Sequence, residues 1–229
     1  MSLASLSLGI KRKEFRANDA SSKHADGIFE TRRETALRSS GYRCVRCGYE
    51  SVTETKGGKK SRLHVHHLDD DHHNNEPSNL APHCSLDHAY HHIGCDAPTS
   101  GGSVGWASKM RIGYAPELTA EDLNHLQRAC GAAMGNELER ELALEIITLL
   151  GVLAGPVKDE FGTFKSKDFA ACFSSMSEAQ YENRYEFIDG LRVLFSPDIL
   201  QVVGQDMLDD ARLLPVKSWE GVAHGLGFS

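Results

Sequence analysis

The sequence predicts an α+β chain, mainly α: a small two-strand-and-helix core built around metal at residues 41–95, and a helical remainder over 117–229. Three observations carry that expectation. A C-x-x-C turn at Cys44 and Cys47 precedes two short runs with strand character, RLHVHH and NLAPHC. Nine of the chain's 12 histidines crowd into residues 63–92, LHVHHLDDDHHNNEPSNLAPHCSLDHAYHH. Beyond residue 117 the apolar residues recur at helical spacing.

The 229 residues suit one large domain or two small ones, and an apolar content of 40% is enough to bury a core. No apolar run reaches the roughly 18–20 residues that cross a bilayer, so membrane insertion is not expected. In MSLASLSLGIKRKEF the basic residues follow the apolar stretch, the reverse of a secretory signal. A cytoplasmic location is therefore expected, with the six cysteines reduced. Cys130 and Cys172 stand alone and read as buried thiols. The net charge of −7 argues against a nucleic-acid partner, but it is unevenly spread. Residues 1–62 hold 14 basic and 7 acidic side chains. A basic N-terminal third beside the histidines is compatible with phosphate contact, and uneven surface charge is the plainer alternative.

Residues 1–40 read as a basic N-terminal segment, polar and irregular to 27, with KRKEFR at 11–16 and a short helix over 28–40. GYRCVRCGYE at 41–50 has the form of a zinc knuckle. TETKGGKKS at 53–61 is a loop with a Gly-Gly turn. SLDHAYHH starts a helix with Ser85 as N-cap. Residues 96–116, rich in Gly, Ser and Thr, form a flap or linker. In the helical region Thr119 and Asp122 resemble a capping box. NELERELALEIITLLGVLA at 136–154 is a helix apolar on most sides, hence a core element that Pro156 breaks. Further helices are expected at 166–176, 178–195 and, after Ser196-Pro197, 197–211.

The histidine cluster divides by geometry. His88 and His92 have the i, i+4 spacing that puts two imidazoles on one helix face, a common way to hold a divalent metal. His66 and His67 end a strand, where neighbours point to opposite faces. One can face the metal while the other faces a substrate. Phosphodiester hydrolysis needs that division: a metal to neutralise the phosphate and a separate imidazole to take a proton from water. Asn79, between the pairs, can orient the loop or the base. His72 and His73 read as solvated, and His91 as exposed or near the substrate. Asp69, Asp70 and Asp71 would repel phosphate unless they bind a cation or face away.

The order His-His, Asn-Leu, His-x-x-x-His resembles the HNH or ββα-metal nucleases, with a treble-clef core. The resemblance implies His66, His88 and His92 as ligands of a catalytic Mg²⁺, Mn²⁺, Ni²⁺ or Zn²⁺, His67 as general base and Asn79 as the middle residue of the motif. It also implies DNA as substrate. Cys44, Cys47 and Cys84 match the zinc-bearing branch, whose structural zinc ties the knuckle to the helix. That branch has a cysteine three residues after Cys84, where this chain has Asp87; Asp87, His83 or Cys95 can supply the fourth ligand. The layout RCVRCGYE, DDDHHNNEPSNL, a Gly-rich flap and YAPELTAEDLNHL is similar to the IcmJ/DotN family of type IVB secretion and conjugation systems over about residues 28–130, with a weaker match at ARLLP, 211–215. That resemblance implies a zinc-bearing adaptor with partners in a coupling complex, as the alternative to a nuclease.

Overall fold

The computed structural model describes residues 6–10, 20–56, 58–71, 73–94 and 106–210. These residues form an α+β structure, mainly helical, with three two-stranded antiparallel sheets. KRKEFR at 11–16, His72, Cys95, the first part of the Gly-rich flap and ARLLP lie outside the described residues.

Residues 6–10 have no helix or strand, as the sequence suggests, but they are apolar and covered where a polar start is expected. Leu6, Leu8 and Ile10, at alternate positions, are buried. The backbone of Gly9 bonds to Tyr90 O at 2.7 Å and to Ile93 N at 3.1 Å. Helix α1, Ala20–Ser39, begins eight residues before the expected start. Its hydrophobic pattern is weak, and tertiary contacts hold it: Leu37 is buried and Arg33 donates to Leu63 O at 3.1 Å. It stops where Gly41 and Tyr42 take left-handed backbone angles, φ 63° and 57°.

The Gly-Gly loop proves to be a small hairpin, β1 Thr53–Thr55 with β2 Gly58–Lys60. Strand β3, His64–His67, pairs with β4, Leu80–His83, in the register His64↔His83 and His66↔Ala81. A 3-10 turn, Pro77–Asn79, feeds β4. Helix α2, Ser85–Tyr90, is capped by Cys84, whose sulfur accepts from Asp87 N; Ser85 is therefore the first helical residue and not the cap. His91 and His92 sit in the turn that follows.

The flap ends in an unexpected strand, β5 Met110–Tyr114, paired with β6 Leu191–Phe195. The expected helix over 178–195 is instead α7 Glu178–Glu182, α8 Tyr185–Ile188 and then β6. Gly190, at φ 76°, makes the turn into the strand. Helix α3, Ala120–Ala133, starts at Thr119, whose hydroxyl accepts from Asp122 N at 3.0 Å. Helices α4 Glu137–Gly151, α5 Ala154–Phe161, α6 Ser166–Ser175 and α9 Pro197–Asp209 complete the region. Pro156 sits in the first turn of α5, where its missing N–H costs nothing.

Helix α4 is not the core element its composition suggests. Leu138, Leu142, Leu149 and Val152 are all exposed, Leu138 at 92%. Of its residues Ala143 is buried, with Leu144, Ile146 and Ile147 packed partly against the core. Cys130 is buried as expected, but Cys172 is exposed. Helices α3 and α9 cross at Gly131 and Gly204, where backbone meets backbone. The C-terminal end of α9 is tied to the knuckle region. Asp210, 6% exposed, accepts from Tyr49 at 2.8 Å and Thr53 at 3.2 Å and pairs with Arg62.

Candidate metal centres

Among the described residues two groups of side chains could hold metal ions: Cys44, Cys47, Cys84 and Asp87, and His66, His88 and His92. Within each, one ligand atom per residue lies within 4.8 Å of the others.

The first group is built by a tight turn and a helix start. Cys44 and Cys47 flank a loop closed by Gly48 N to Cys44 O at 3.0 Å, with Gly48 at φ 73°. Val45 N bonds to Pro82 O at 2.9 Å, which fixes the loop against β4. Cys84 caps α2, and Asp87, one turn on, points back beside it. The Cys47 and Cys84 sulfurs are 3.7 Å apart. A tetrahedral zinc with Zn–S of about 2.3 Å would set its sulfurs about 3.8 Å apart. Cys44 Sγ lies 3.0 Å from Asp87 Oδ2, while Asn124 donates to Asp87 Oδ1 at 2.7 Å. One carboxylate oxygen thus faces the sulfurs and the other is held from behind.

Electrostatics agree with the geometry. Burial is the main cause that holds the Cys84 thiol well up, and it pushes Asp87 up to about 6 with help from the nearby Cys47. Cys47 goes the other way, because its sulfur shares hydrogen bonds with Cys44 and Cys84 and Arg128 stands close. Buried groups that repel one another's negative charge cannot all ionise unaided; a divalent cation among them removes the conflict. The donor set of three sulfurs and one oxygen fits a soft to borderline ion such as zinc.

The second group joins one strand to one helix. His64 and His66 lie on the α2 side of β3. His64 stacks on His88 with centroids 4.7 Å apart, and His66 sits 5.6 Å from His88 and 5.3 Å from His92. Burial lowers His64 to about 4, with Arg33 adding to the effect, and it also drives His66 and His88 well down. Neutral imidazole is the form that binds metal. Three histidines also leave coordination positions open, as catalytic sites require.

His91 is not the exposed residue that one of its two readings made it. It is half-buried inside the cluster, stacked on His66 at 4.1 Å, because α2 ends at Tyr90 and the following turn folds it back. His83, fully buried, adjoins both, 5.6 Å from His66 and 5.0 Å from His91. His83 is not among the four residues that gather at the cysteines. His73 is exposed.

His67 faces the other side of β3, as the strand period requires. It does not open onto solvent: it is 3% exposed, with Phe29 of α1 stacked at 5.1 Å. Helix α1 is the reason: Phe29 covers the ring, and the early turns of the helix bring Ala25 O to the Asn75 that contacts it. His67 Nε2 lies 3.0 Å from Asn75 Oδ1, and Asn75 Nδ2 donates to Ala25 O at 3.3 Å. Asn79 orders the loop and not the base. Its Nδ2 donates to Asp69 Oδ1 and to Asn74 O, both at 2.8 Å, and its Oδ1 accepts from Asp69 N at 3.1 Å. That explains the acidic run in part: Asp69 is spent on the loop, and Asp70, at φ 58°, places a carboxylate oxygen 4.0 Å from His66 Nε2.

Asn75, Asn124 and Arg128 were not distinguishable from ordinary polar residues in the sequence. Asn124 and Arg128 have helical i, i+4 spacing on α3, the only local hint that they act together.

No family model matches the chain, and no curated protein matches it. No helix among the described residues is long and apolar enough to cross a membrane.

Proposed function

We propose that this chain is a metal-dependent HNH endonuclease that hydrolyses DNA phosphodiester bonds. In this reading the region 41–95 is a treble-clef ββα-metal core with structural zinc at Cys44, Cys47, Cys84 and Asp87. One observation carries it: His66 converges with His88 and His92, while the next strand residue, His67, is held on the opposite face.

A bound divalent ion would supply charge neutralisation at the scissile phosphate and the leaving oxygen. The chain's residues do the rest. His66, His88 and His92 hold the ion as neutral imidazoles. His67 takes the proton of the attacking water at a ring nitrogen. Asn75 fixes the ring, and Asn79 holds the 69–74 loop in shape. The reading requires α1 to shift off the Phe29–His67 stack when DNA binds.

A second reading is favoured by a separate observation. The exposed leucines of α4 suit a protein partner better than a nucleic acid. On this reading the chain is a non-catalytic zinc-bearing adaptor, IcmJ/DotN-like, in a type IV secretion or conjugation coupling complex.

Plasmid nicking decides between them. Purified protein is incubated with supercoiled DNA in EDTA and then in added Mg²⁺, Mn²⁺ or Ni²⁺, alongside His67→Ala. Metal-dependent nicking that disappears in His67→Ala supports the nuclease. A folded, zinc-loaded chain that cuts under no metal sinks the nuclease and leaves the adaptor.

A further inference from the structure

We propose that Arg128 is a working part of the cysteine metal centre: its buried guanidinium offsets the surplus negative charge of the ligands and sets how tightly the centre holds its cation. The proposal rests on the metal reading of that site and not on nuclease activity.

Three thiolates and a carboxylate around a divalent ion leave a buried surplus of two negative charges. Such a surplus is costly in a low-dielectric interior unless a cation or several donors meet it. Arg128 meets it. It is carried by α3, 80 residues and more from the knuckle in sequence, and is 3% exposed. Its Nη2 donates to Cys84 Sγ at 2.8 Å and to Cys47 Sγ at 3.6 Å. The Tyr49 ring covers the guanidinium at 4.6 Å, and the Tyr49 hydroxyl is committed to Asp210. The negative charge that faces Arg128 is that of the ligands themselves: the Cys84 and Cys47 sulfurs in contact and the Asp87 carboxylate nearby. A planar, permanently charged fork can stack on an aromatic ring and donate to two sulfurs at once; an ammonium cannot do both.

Asn124 completes the arrangement one turn earlier. By holding Asp87 Oδ1 it leaves Oδ2 on the side of the sulfurs. One face of α3 therefore supplies both a charge and an orienting amide to ligands on the knuckle and α2. Outer residues of this kind commonly change metal affinity by about 10–100-fold when removed. The plainer reading of Arg128 is a packing wedge between α3 and the knuckle, and that reading predicts no change in affinity for a chain that still folds.

The test uses the full chain, with zinc in equilibrium competition against a chelator and Co²⁺ as a spectroscopic probe. The thiolate-to-cobalt charge-transfer band reports the cysteine site alone, free of the histidine cluster. Arg128→Met should fold, keep the parent's cobalt band shape, since no ligand is lost, and hold zinc about 10–100-fold more weakly. Arg128→Lys should fall between the two. Folded Arg128→Met with an affinity within twofold of the parent overturns the proposal. If Arg128→Met is unfolded even in excess zinc, Arg128→Lys decides: weaker binding with an unchanged band supports the proposal, and parent-like binding makes Arg128 a packing residue. A parent chain that shows no thiolate–cobalt band overturns the metal reading and this inference together, a result distinct from a normal band with unchanged variants.

Discussion

His67 and Asn75 are joined by a 3.0 Å contact whose polarity is fixed from outside. Asn75 gives its Nδ2 to Ala25 O, so its Oδ1, which only accepts, is the end that meets His67 Nε2. Nε2 then carries the ring hydrogen, and Nδ1 is the nitrogen with basic character. If the nuclease proposal holds, His67 is a base whose tautomer is chosen by a neighbour, and it loses rate when that neighbour is removed. Asn75→Ala should lower metal-dependent nicking by about tenfold or more while metal content stays at the parent's level. Nicking at the parent's rate from a folded variant would remove Asn75 from the site.

Asp87 takes the position where a fourth cysteine would complete a second C-x-x-C. Asp87→Cys should keep metal binding and strengthen the thiolate-to-cobalt band, because a fourth sulfur enters the coordination sphere. It also strands Asn124, whose donor now points at Asp87 Oδ1. Asp87→Ala should lose zinc and, with it, folding free energy. Zinc content and the melting temperature with and without chelator measure both. An Asp87→Ala chain that retains zinc with the parent's affinity would show that another residue is the fourth ligand.

The sites were more legible than the architecture around them. Local spacing marks the pieces, Cys44 with Cys47, Cys84 with Asp87 and His88 with His92, and the pairing of β3 with β4 brings the pieces together. Asn124 and Arg128 come from α3, far along the chain, and no local pattern marks a polar residue that will be buried against a thiolate. Strand β6 was hidden because LRVLF is a short apolar run that fits a buried helix as well as a strand. The signal that separates them is Gly190 before it and Ser196-Pro197 after it. Helix α4 misled in the other direction. Its leucines look like core, yet Ala143 is the buried residue, Leu144, Ile146, Ile147 and Leu150 are partly covered, and Leu138, Leu142 and Leu149 face out. Composition counts apolar residues but does not say which face has a neighbour.

Acid should destabilise the metal-free chain from about pH 6.5 downward. Burial lowers His64 to about 4 and His83 to about 3 from the ordinary 6.5. The unfolded chain therefore takes up protons first as pH falls, so the stability these groups contribute is whole above 6.5 and lost toward 4 and 3. For His64 the loss is on the order of 3 kcal/mol. Asp87, raised to about 6, works in the opposite sense: its contribution is whole below 3.8 and lost as pH rises through 6. The histidines are more numerous and should dominate. Urea unfolding midpoints of metal-free protein should fall between pH 7 and pH 5, and His64→Phe, which keeps a ring against His88, should flatten that slope. A midpoint that rises over the same interval would show that the carboxyl outweighs the imidazoles.

Gly131 and Gly204 set the distance between α3 and α9, and with it the position of the residues that reach the cysteine centre. A Cβ at Gly131 would lie 2.0 Å from Leu200 O and 2.8 Å from Leu200 C, and one at Gly204 would lie 2.0 Å from Gly131 C. These are backbone atoms of a packed helix, which cannot turn aside as a side chain can. Two effects of Gly131→Ala therefore compete. Helix propensity favours alanine by about 1 kcal/mol. Forcing the helices apart costs about 1–3 kcal/mol, and more where backbone meets backbone. The clash should win, and Gly131→Ala should lower stability by roughly 2 kcal/mol or more. Because Asn124 and Arg128 ride on the same helix, the displaced α3 should also draw its donors away from Asp87 Oδ1 and Cys84 Sγ. Zinc affinity should then fall along with the urea midpoint. A stabilised Gly131→Ala chain would mean that the helices can part freely at this crossing, and α3 would then be too loosely seated to orient the ligands as its hydrogen bonds indicate.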